Sequence, residues 1–230
     1  MKFEIHRSEK VVIIGPNGIG KSTLLKILSA GIPTYGGGKI SGSVIINDKN
    51  ILTSESFNLT EVLTYVGQNP QEQLLMNTCC DEIAFALESL GIEREEMKRR
   101  IDSSLTHWSL SSLAEVHPQE LSGGERKRLL LAVSEAIEAP IWLLDEVFDD
   151  LDDHHKHLLI ESIAKHKGSV VVCASRFLPE FSHNFTSIVT IIDGKCHRLE
   201  EGEVLTQALQ NKKFTIGVHP VSHTPHTLSL

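Results

Sequence analysis

The chain has 230 residues, 40% of them apolar, and a formal net charge of −8. That length fits one large domain or two small ones with a filled core. An acidic balance with no basic face argues against a nucleic-acid partner, and no run of about 18 apolar residues is present to cross a bilayer.

Met1–Lys10 is mixed and charged and does not read as a secretory leader. Lys2–Ile5 is predicted as a strand and Arg7–Lys10 as a turn, with Phe3 the one aromatic there. Val11–Ile14 then reads as a buried parallel strand. Gly15–Thr23 follows as GPNGIGKST, a match to the phosphate-cradling pattern GxxxxGK[ST]. Leu24, Leu25, Ile27 and Leu28 suit a helix packed on that strand, so the motif has its strand–loop–helix context. Gly15, Gly18 and Gly20, with Pro16, Asn17 and Ile19 between them, let successive N–H groups converge on an anion. The helix start adds its positive end. Lys21 supplies a point charge for β- and γ-phosphates. Ser22 offers a hydroxyl to Mg²⁺, with Thr23 as a further hydroxyl beside it.

Beyond this helix, Gly36–Gly38 and Gly42 punctuate a loop, and Tyr35 reads as surface or packing. Val44–Ile46 is predicted as a strand with a turn starting at Asn47–Asp48. Val62–Val66 reads as another strand, and Gln68 follows at its carboxyl end, where ligands bind in parallel sheets. A neutral amide there can coordinate Mg²⁺ or orient water. Gln71–Glu120 is predicted to be a mostly helical insert: Ile83, Leu87 and Leu90 fall at helical spacing, and Glu93–Arg100 reads as a solvated face. Trp108 reads as packing.

Leu121–Ala139 places a second glycine turn, Ser122-Gly123-Gly124, before an apolar stripe of Leu129, Ala132, Val133, Ala136 and Ile137. Ser122 suits the cap position of a helix. Ile141–Leu144 reads as a buried strand ending in Asp145 and Glu146. The first carboxylate can hold a Mg²⁺ shell and the second can polarise attacking water. Val147–Asp153 is an acidic turn, His154–Lys167 a helix, and Ser169–Ala174 an apolar strand followed by Ser175 and Arg176. Ile188–Asp193 and Lys195–Leu199 close the sheet, Glu203–Leu209 reads as a short helix, and Phe214–Leu230 as a tail. No CxxC pair occurs among Cys79, Cys80, Cys173 and Cys196, which fits reduced thiols. Around His154, His155 and His157, and around His219, His223 and His226, no carboxylate or cysteine is spaced to complete a metal site.

The order of these pieces, glycine loop, glutamine, LSGGE and strand-DE, resembles the ABC-type ATPases from Met1 to about Glu203. The resemblance implies an α/β fold: a P-loop NTPase core with a mostly parallel sheet, an antiparallel β part near the N-terminus and a helical insert. The implied domain is 1–205, with a helical subdomain at about 71–122 and a tail at 206–230. Gly15–Thr23 takes the place of Walker A, Gln68 of the Q-loop glutamine, and Leu121–Glu125 of the signature, with Glu125 where glutamine is commoner. Ile141–Asp145 takes the place of Walker B, Glu146 of the catalytic glutamate and Asp149–Asp152 of the D-loop. QNPQEQL (Gln68–Leu74) and GIPTYGGGKISGSV look like the energy-coupling-factor and cobalt-type importer ATPases. This implies ATP and Mg²⁺ as ligands, with Ser22, Gln68 and Asp145 at the metal. It implies a second ATPase subunit, identical or different, whose ATP is capped by Ser122, Gly123, Gly124 and Glu125. It implies a transmembrane coupling subunit, a substrate-binding membrane subunit, and a peripheral place at the cytoplasmic face of the membrane.

Two departures from the family pattern stand out. Ser175 occupies the place of a histidine that contacts the γ-phosphate, and no adenine-stacking aromatic lies upstream of the loop. Ser175 therefore implies a slow site of its own, beside an intact signature that completes a different subunit's site. The competing expectations are a soluble ABC-type ATPase, or a regulatory subunit that binds nucleotide without hydrolysing it.

Overall fold

The computed structural model describes residues 3–34, 40–53, 59–175 and 183–199. The expectations for Tyr35, Arg176, the helix at 203–209 and the tail lie outside the described residues. The first elements are β1 (Lys10–Ile14), α1 (Lys21–Leu28), a single turn α2 (Gly31–Thr34), β2 (Ile45–Ile46) and β3 (Lys49–Asn50). Then come β4 (Leu63–Val66), α3 (Cys79–Ser89), α4 (Arg94–His107), α5 (Gly123–Ile137), β5 (Ile141–Asp145) and α6 (Asp153–Lys165). The last are β6 (Ser169–Ala174), β7 (Ser187–Ile192) and β8 (Lys195–Leu199). The chain divides into two compact units, 1–57 with 169–230, and 58–168.

In the first unit β1 runs parallel to both β6 and β7, and β8 pairs antiparallel with β7. All five residues of β1 and all six of β6 are buried. That continuous burial explains why Val11–Ile14 reads as an apolar run with no alternation: both faces of a parallel strand are covered. Leu24, Leu25 and Leu28 of α1 are buried as well, each apolar side chain contributing about 1.5–3 kcal/mol on transfer from water. β2 and β3 form an antiparallel pair closed by Asn47 and Asp48, both at positive φ (49° and 63°). Two left-handed residues make the turn whose twist matches a hairpin, and Asn and Asp tolerate that region.

Lys2–Ile5 was expected to be a strand; among the described residues, Phe3–Ile5 has no ladder partner. Phe3 and Ile5 are buried and Glu4 is partly exposed, so the period-2 pattern is present. The Glu4 carbonyl is taken by the Arg198 guanidinium instead of a neighbouring strand.

The second unit pairs β4 with β5 in parallel and sets α3, α4, α5 and α6 around a core that includes Ile83, Leu87, Leu110, Leu129, Leu143 and Ile163. Three of its four helices, α3, α5 and α6, start on side-chain caps. Thr78 accepts from Asp81 N, Ser122 from Glu125 N, and Asp152 from His155 N. Each cap satisfies an amide that the helix itself leaves unpaired. Trp108 is fully buried and its indole N–H donates to Glu135 Oε2 at 2.7 Å, which lets a large aromatic with one polar atom sit inside a core. α6 ends at Lys165, two residues before the expected end, because His166 leaves helical geometry.

Candidate nucleotide site

In the first unit the loop between β1 and α1 is shaped by Gly18 (φ 81°) and Gly20 (φ 107°), both in the left-handed region. A Cβ at either would meet nothing within 4 Å. Backbone conformation, not space, therefore calls for glycine there. Gly20 precedes α1 with no side-chain cap on the first amides, so a helix N-terminus opens toward the loop with its donors unspent on a cap. Lys21 is 3% exposed. Its ammonium folds back over the loop and donates to the Gly15 carbonyl at 2.9 Å and the Pro16 carbonyl at 3.3 Å. Ser22 is half-buried and Thr23 exposed. The β1–β6 register pairs Ile14 with Ala174. Ser175, half-buried, thus leaves the end of β6 level with Gly15 on the neighbouring strand. Phe3, the aromatic upstream of the loop, is 3% exposed, which leaves no ring face for a base.

In the second unit the β4–β5 register pairs Val66 with Leu144. Gln68 thus follows the end of β4 as Asp145 and Glu146 close β5. The Gln68 Nε2 donates to Glu146 Oε2 at 2.8 Å. Glu146 is a non-glycine residue at φ 50° and is 7% exposed. A left-handed backbone costs about 1–3 kcal/mol, and here it turns a buried carboxylate toward the strand ends. Asp145 is fully buried, and Tyr65 Oη donates to its Oδ2 at 3.3 Å.

Besides Tyr65, three further residues of this unit are not announced by the sequence. Gln73 staples the Gln68 loop: its Oε1 accepts from Gly67 N at 2.6 Å and its Nε2 donates to the Tyr65 carbonyl at 2.9 Å. Glu82 accepts from Leu75 N at 2.9 Å and Met76 N at 2.7 Å. Lys127, fully buried on α5, donates to the Gly67 and Gln68 carbonyls, each at 3.0 Å, and lies 3.7 Å from Asp150 Oδ2. Burial pulls this amine below the usual lysine range, against the attraction of Asp150, Asp145 and Asp149. A charged residue on the apolar side of a helix stripe was the one available signal for it.

At the start of α5 the Ser122 hydroxyl donates to Glu125 Oε2 at 2.7 Å, and the Ser122 amide donates to the same oxygen at 2.8 Å. The Ser122 hydroxyl and then its amide hold the Glu125 carboxyl below the usual glutamate value. Gly123 is exposed. A Cβ on Gly124 would sit 2.8 Å from the Asp150 carbonyl, so α5 meets the acidic turn backbone to backbone.

The structure thus sets Gly15 and Ser175 at neighbouring strand ends in one unit, and Gln68, Asp145 and Glu146 at the strand ends of the other, while Ser122–Glu125 lies apart from them at the start of α5. Residues 1–149 match the ABC transporter family. A putative ABC transporter ATP-binding protein of Clostridium acetobutylicum is 34% identical over 93% of this chain and 89% of its own length. This chain belongs to the ABC transporter family. As an ABC transporter ATPase subunit it shares its fold with cbiO1 of Clostridium perfringens, part of the ABC transporter complex cbiONQ. That likeness has a TM-score of 0.69 at 23% identity, covering 90% of this chain and 81% of the other. A dimeric ATP-binding cassette in a post-hydrolysis state, bound to ADP and Pi, aligns with a TM-score of 0.70 at 24% identity, over 85% and 87% of the two chains. ABC transporter ATPases bind ATP. Among the described residues, no helix of this one is long and apolar enough to cross a membrane.

Proposed function

We propose that this ABC transporter subunit binds ATP with Mg²⁺ and hydrolyses it to power a membrane importer of the energy-coupling-factor or cobalt type. The observation that carries the reading is the 2.8 Å hydrogen bond from Gln68 to Glu146. It sets a proton-accepting carboxylate and a polar amide side by side at the carboxyl ends of two parallel strands.

In this reading the amides of Gly15–Thr23 and the Lys21 ammonium hold the triphosphate. Glu146 takes the proton of the attacking water, help worth about 10²–10⁴ in rate. Gln68 orients that carboxylate through its amide nitrogen, which turns the amide oxygen away from Glu146. Ser22, Gln68 and Asp145 would hold Mg²⁺. Hydroxyl, amide and carboxylate oxygens are the donors this hard cation prefers, and the ion neutralises charge on the β- and γ-phosphate oxygens. Ser122, Gly123, Gly124 and Glu125 serve the ATP of a second ATPase subunit facing this one head to tail. ATP then joins the two and hydrolysis releases them.

A membrane partner is supported by an apolar pair. Leu75 is 72% exposed and Phe85 51%, the exposed large hydrophobics among the described residues. Glu82 ties the backbone at Leu75 to α3, and Phe85 lies one turn further along that helix. Isolated exposed apolar side chains are common, but two on segments tied by Glu82, following the Gln68 loop in the chain, suit a docking helix. The membrane partners are a transmembrane coupling subunit and a substrate-binding subunit, which place the chain at the cytoplasmic face of the membrane.

Ser175 makes the role asymmetric: its short hydroxyl replaces a longer imidazole beside Gly15, so this chain's own site is slow while its signature completes another subunit's. The same residue favours a second reading, a nucleotide-binding regulatory subunit without turnover. The test is ATP turnover by the chain alone and with its copurified partners, with Glu146→Gln as control. The expected result is slow turnover alone, faster turnover with partners, and an ATP-held dimer in the variant. Brisk hydrolysis by the chain alone, abolished by the substitution, removes the asymmetry. ATP binding without turnover in any mixture selects the regulatory subunit.

A further inference from the structure

Lys127 meets the backbone and side chains of two loops that are far apart in sequence. Its stem starts on α5, two residues beyond Glu125, and its ammonium ends among the Gly67 carbonyl, the Gln68 carbonyl and the Asp150 carboxylate. An ammonium has three donors: the two carbonyls each accept a hydrogen bond, and the Asp150 carboxylate, 3.7 Å away, is an ion-pair partner. The residue is fully buried, so the two loop carbonyls would lose a donor that water does not readily replace, while Asp150, about half exposed, stays open to water.

The neighbours make the location consequential. Gln68, whose carbonyl Lys127 holds, is the residue whose amide reaches Glu146. Gln73 closes the same loop from the other side, and a Cβ on Gly67 would sit 2.9 Å from the Gln73 Oε1. The two Gln73 hydrogen bonds thus hold the loop as well. On the far side, Asp150 presents its carboxylate to Lys127 and its carbonyl to Gly124, one turn earlier on α5. The glutamine loop, the start of α5 and the acidic turn are pinned around one buried charge.

We infer that Lys127 is a positioning residue that locks the Gln68 loop to the 149–152 turn and thereby sets how Gln68 presents the Glu146 carboxylate to water. It touches neither nucleotide nor metal; its effect passes through Gln68. The inference rests on the proposed roles of Gln68 and Glu146. It predicts a defect in the chemical step with the grip on nucleotide unchanged, because the phosphate loop lies elsewhere in the chain.

Lys127→Met keeps the long unbranched stem and deletes the charge. In the intact assembly with its partners it is expected to lower kcat by about 10–100-fold, the usual cost of removing a group that orients a reacting one. KM and the affinity for a fluorescent ATP analogue should change less than about twofold. In a Gln68→Ala background the same substitution should lower kcat by less than about threefold, because residues acting as one unit are non-additive. An equal loss in both backgrounds, or a raised KM at unchanged kcat, overturns the proposal. Hydrogen exchange gives a readout independent of turnover. Lys127→Met should speed exchange at 67–73 and at 149–152 together while leaving 15–23 unchanged. Faster exchange at only one of the two loops, or everywhere, overturns it. Should Lys127→Met fail to fold, Asp150→Asn cuts the tie from its exposed end, and the same joint change in exchange is required. A wild-type assembly that never hydrolyses ATP sinks the functional reading alone, and exchange then decides the positioning by itself.

Discussion

Lys21 in one unit and Lys127 in the other are both buried, and they do opposite things with the charge. Lys21 closes on the carbonyls of Gly15 and Pro16, five and six residues away along its own loop. Lys127 reaches carbonyls 59 and 60 residues away and an aspartate on a third segment. The first includes a local closure on carbonyls of its own loop. The second is a long-range tie with an anionic partner. One charge folds back onto its own loop, and the other ties together segments far apart in the chain.

The sharpest way to break that contrast is to remove the Lys21 charge. Lys21→Ala is expected to weaken binding of a fluorescent ATP analogue and to lower turnover by about 10²–10³, the cost of one preorganised charge-stabilising contact. Lys127→Met, by comparison, should leave the binding curve in place. If both substitutions weakened binding alike, the two lysines would share one role and the comparison would fail.

The next test concerns the place beside Gly15 where the register sets Ser175. Ser175→His lengthens the side chain toward the phosphate loop. It is expected to raise turnover of the chain by at least about 10-fold, part of the 10²–10³ that one such contact supplies. ATP affinity should move little, because the gain is confined to the transition state. Unchanged turnover would mean that another residue limits this site, and the asymmetric role would lose its basis.

The same contrast explains what could be read from the sequence. The phosphate loop, the Ser122 cap and the Asn47–Asp48 turn are built from contacts within a few residues, so residue type and spacing announce them. Apolar runs such as Val11–Ile14 announced buried parallel strands, because burial on both faces removes any alternation, and the resemblance of the motif order implied the rest of the α/β class. The pairing of Gln68 with Glu146 spans 78 residues and was reachable only through the resemblance of the motif order. Tyr65 on Asp145, Gln73 on Gly67 and Lys127 on Gln68 were not legible. Each is one polar side chain in an otherwise ordinary segment, and its partner is chosen by the fold. The period-2 pattern at Phe3–Ile5 misled for a related reason: alternation reports which side is buried, not whether a neighbouring strand is there to bond.

The smallest expected effect belongs to the start of α5, where local and functional demands meet on one hydroxyl. Ser122 caps the helix and donates to Glu125, while Glu125 accepts from both the hydroxyl and the amide of Ser122. Ser122→Ala should cost about 1 kcal/mol, as the loss of an N-cap does, and lower Tm by about 2–4 °C for a domain of this size. Part of that cost is linked to pH. Glu125 is held below its ordinary value mainly by the Ser122 hydroxyl. An acid lowered on folding adds stability that is present above its unfolded pKa and lost as pH falls through the folded one. The difference in Tm between wild type and variant should therefore narrow as the solution is acidified below the ordinary glutamate range. Melting curves at neutral and acidic pH measure it directly. A gap that stays constant would show that the hydroxyl acts as a plain cap and the carboxylate beside it adds nothing to stability.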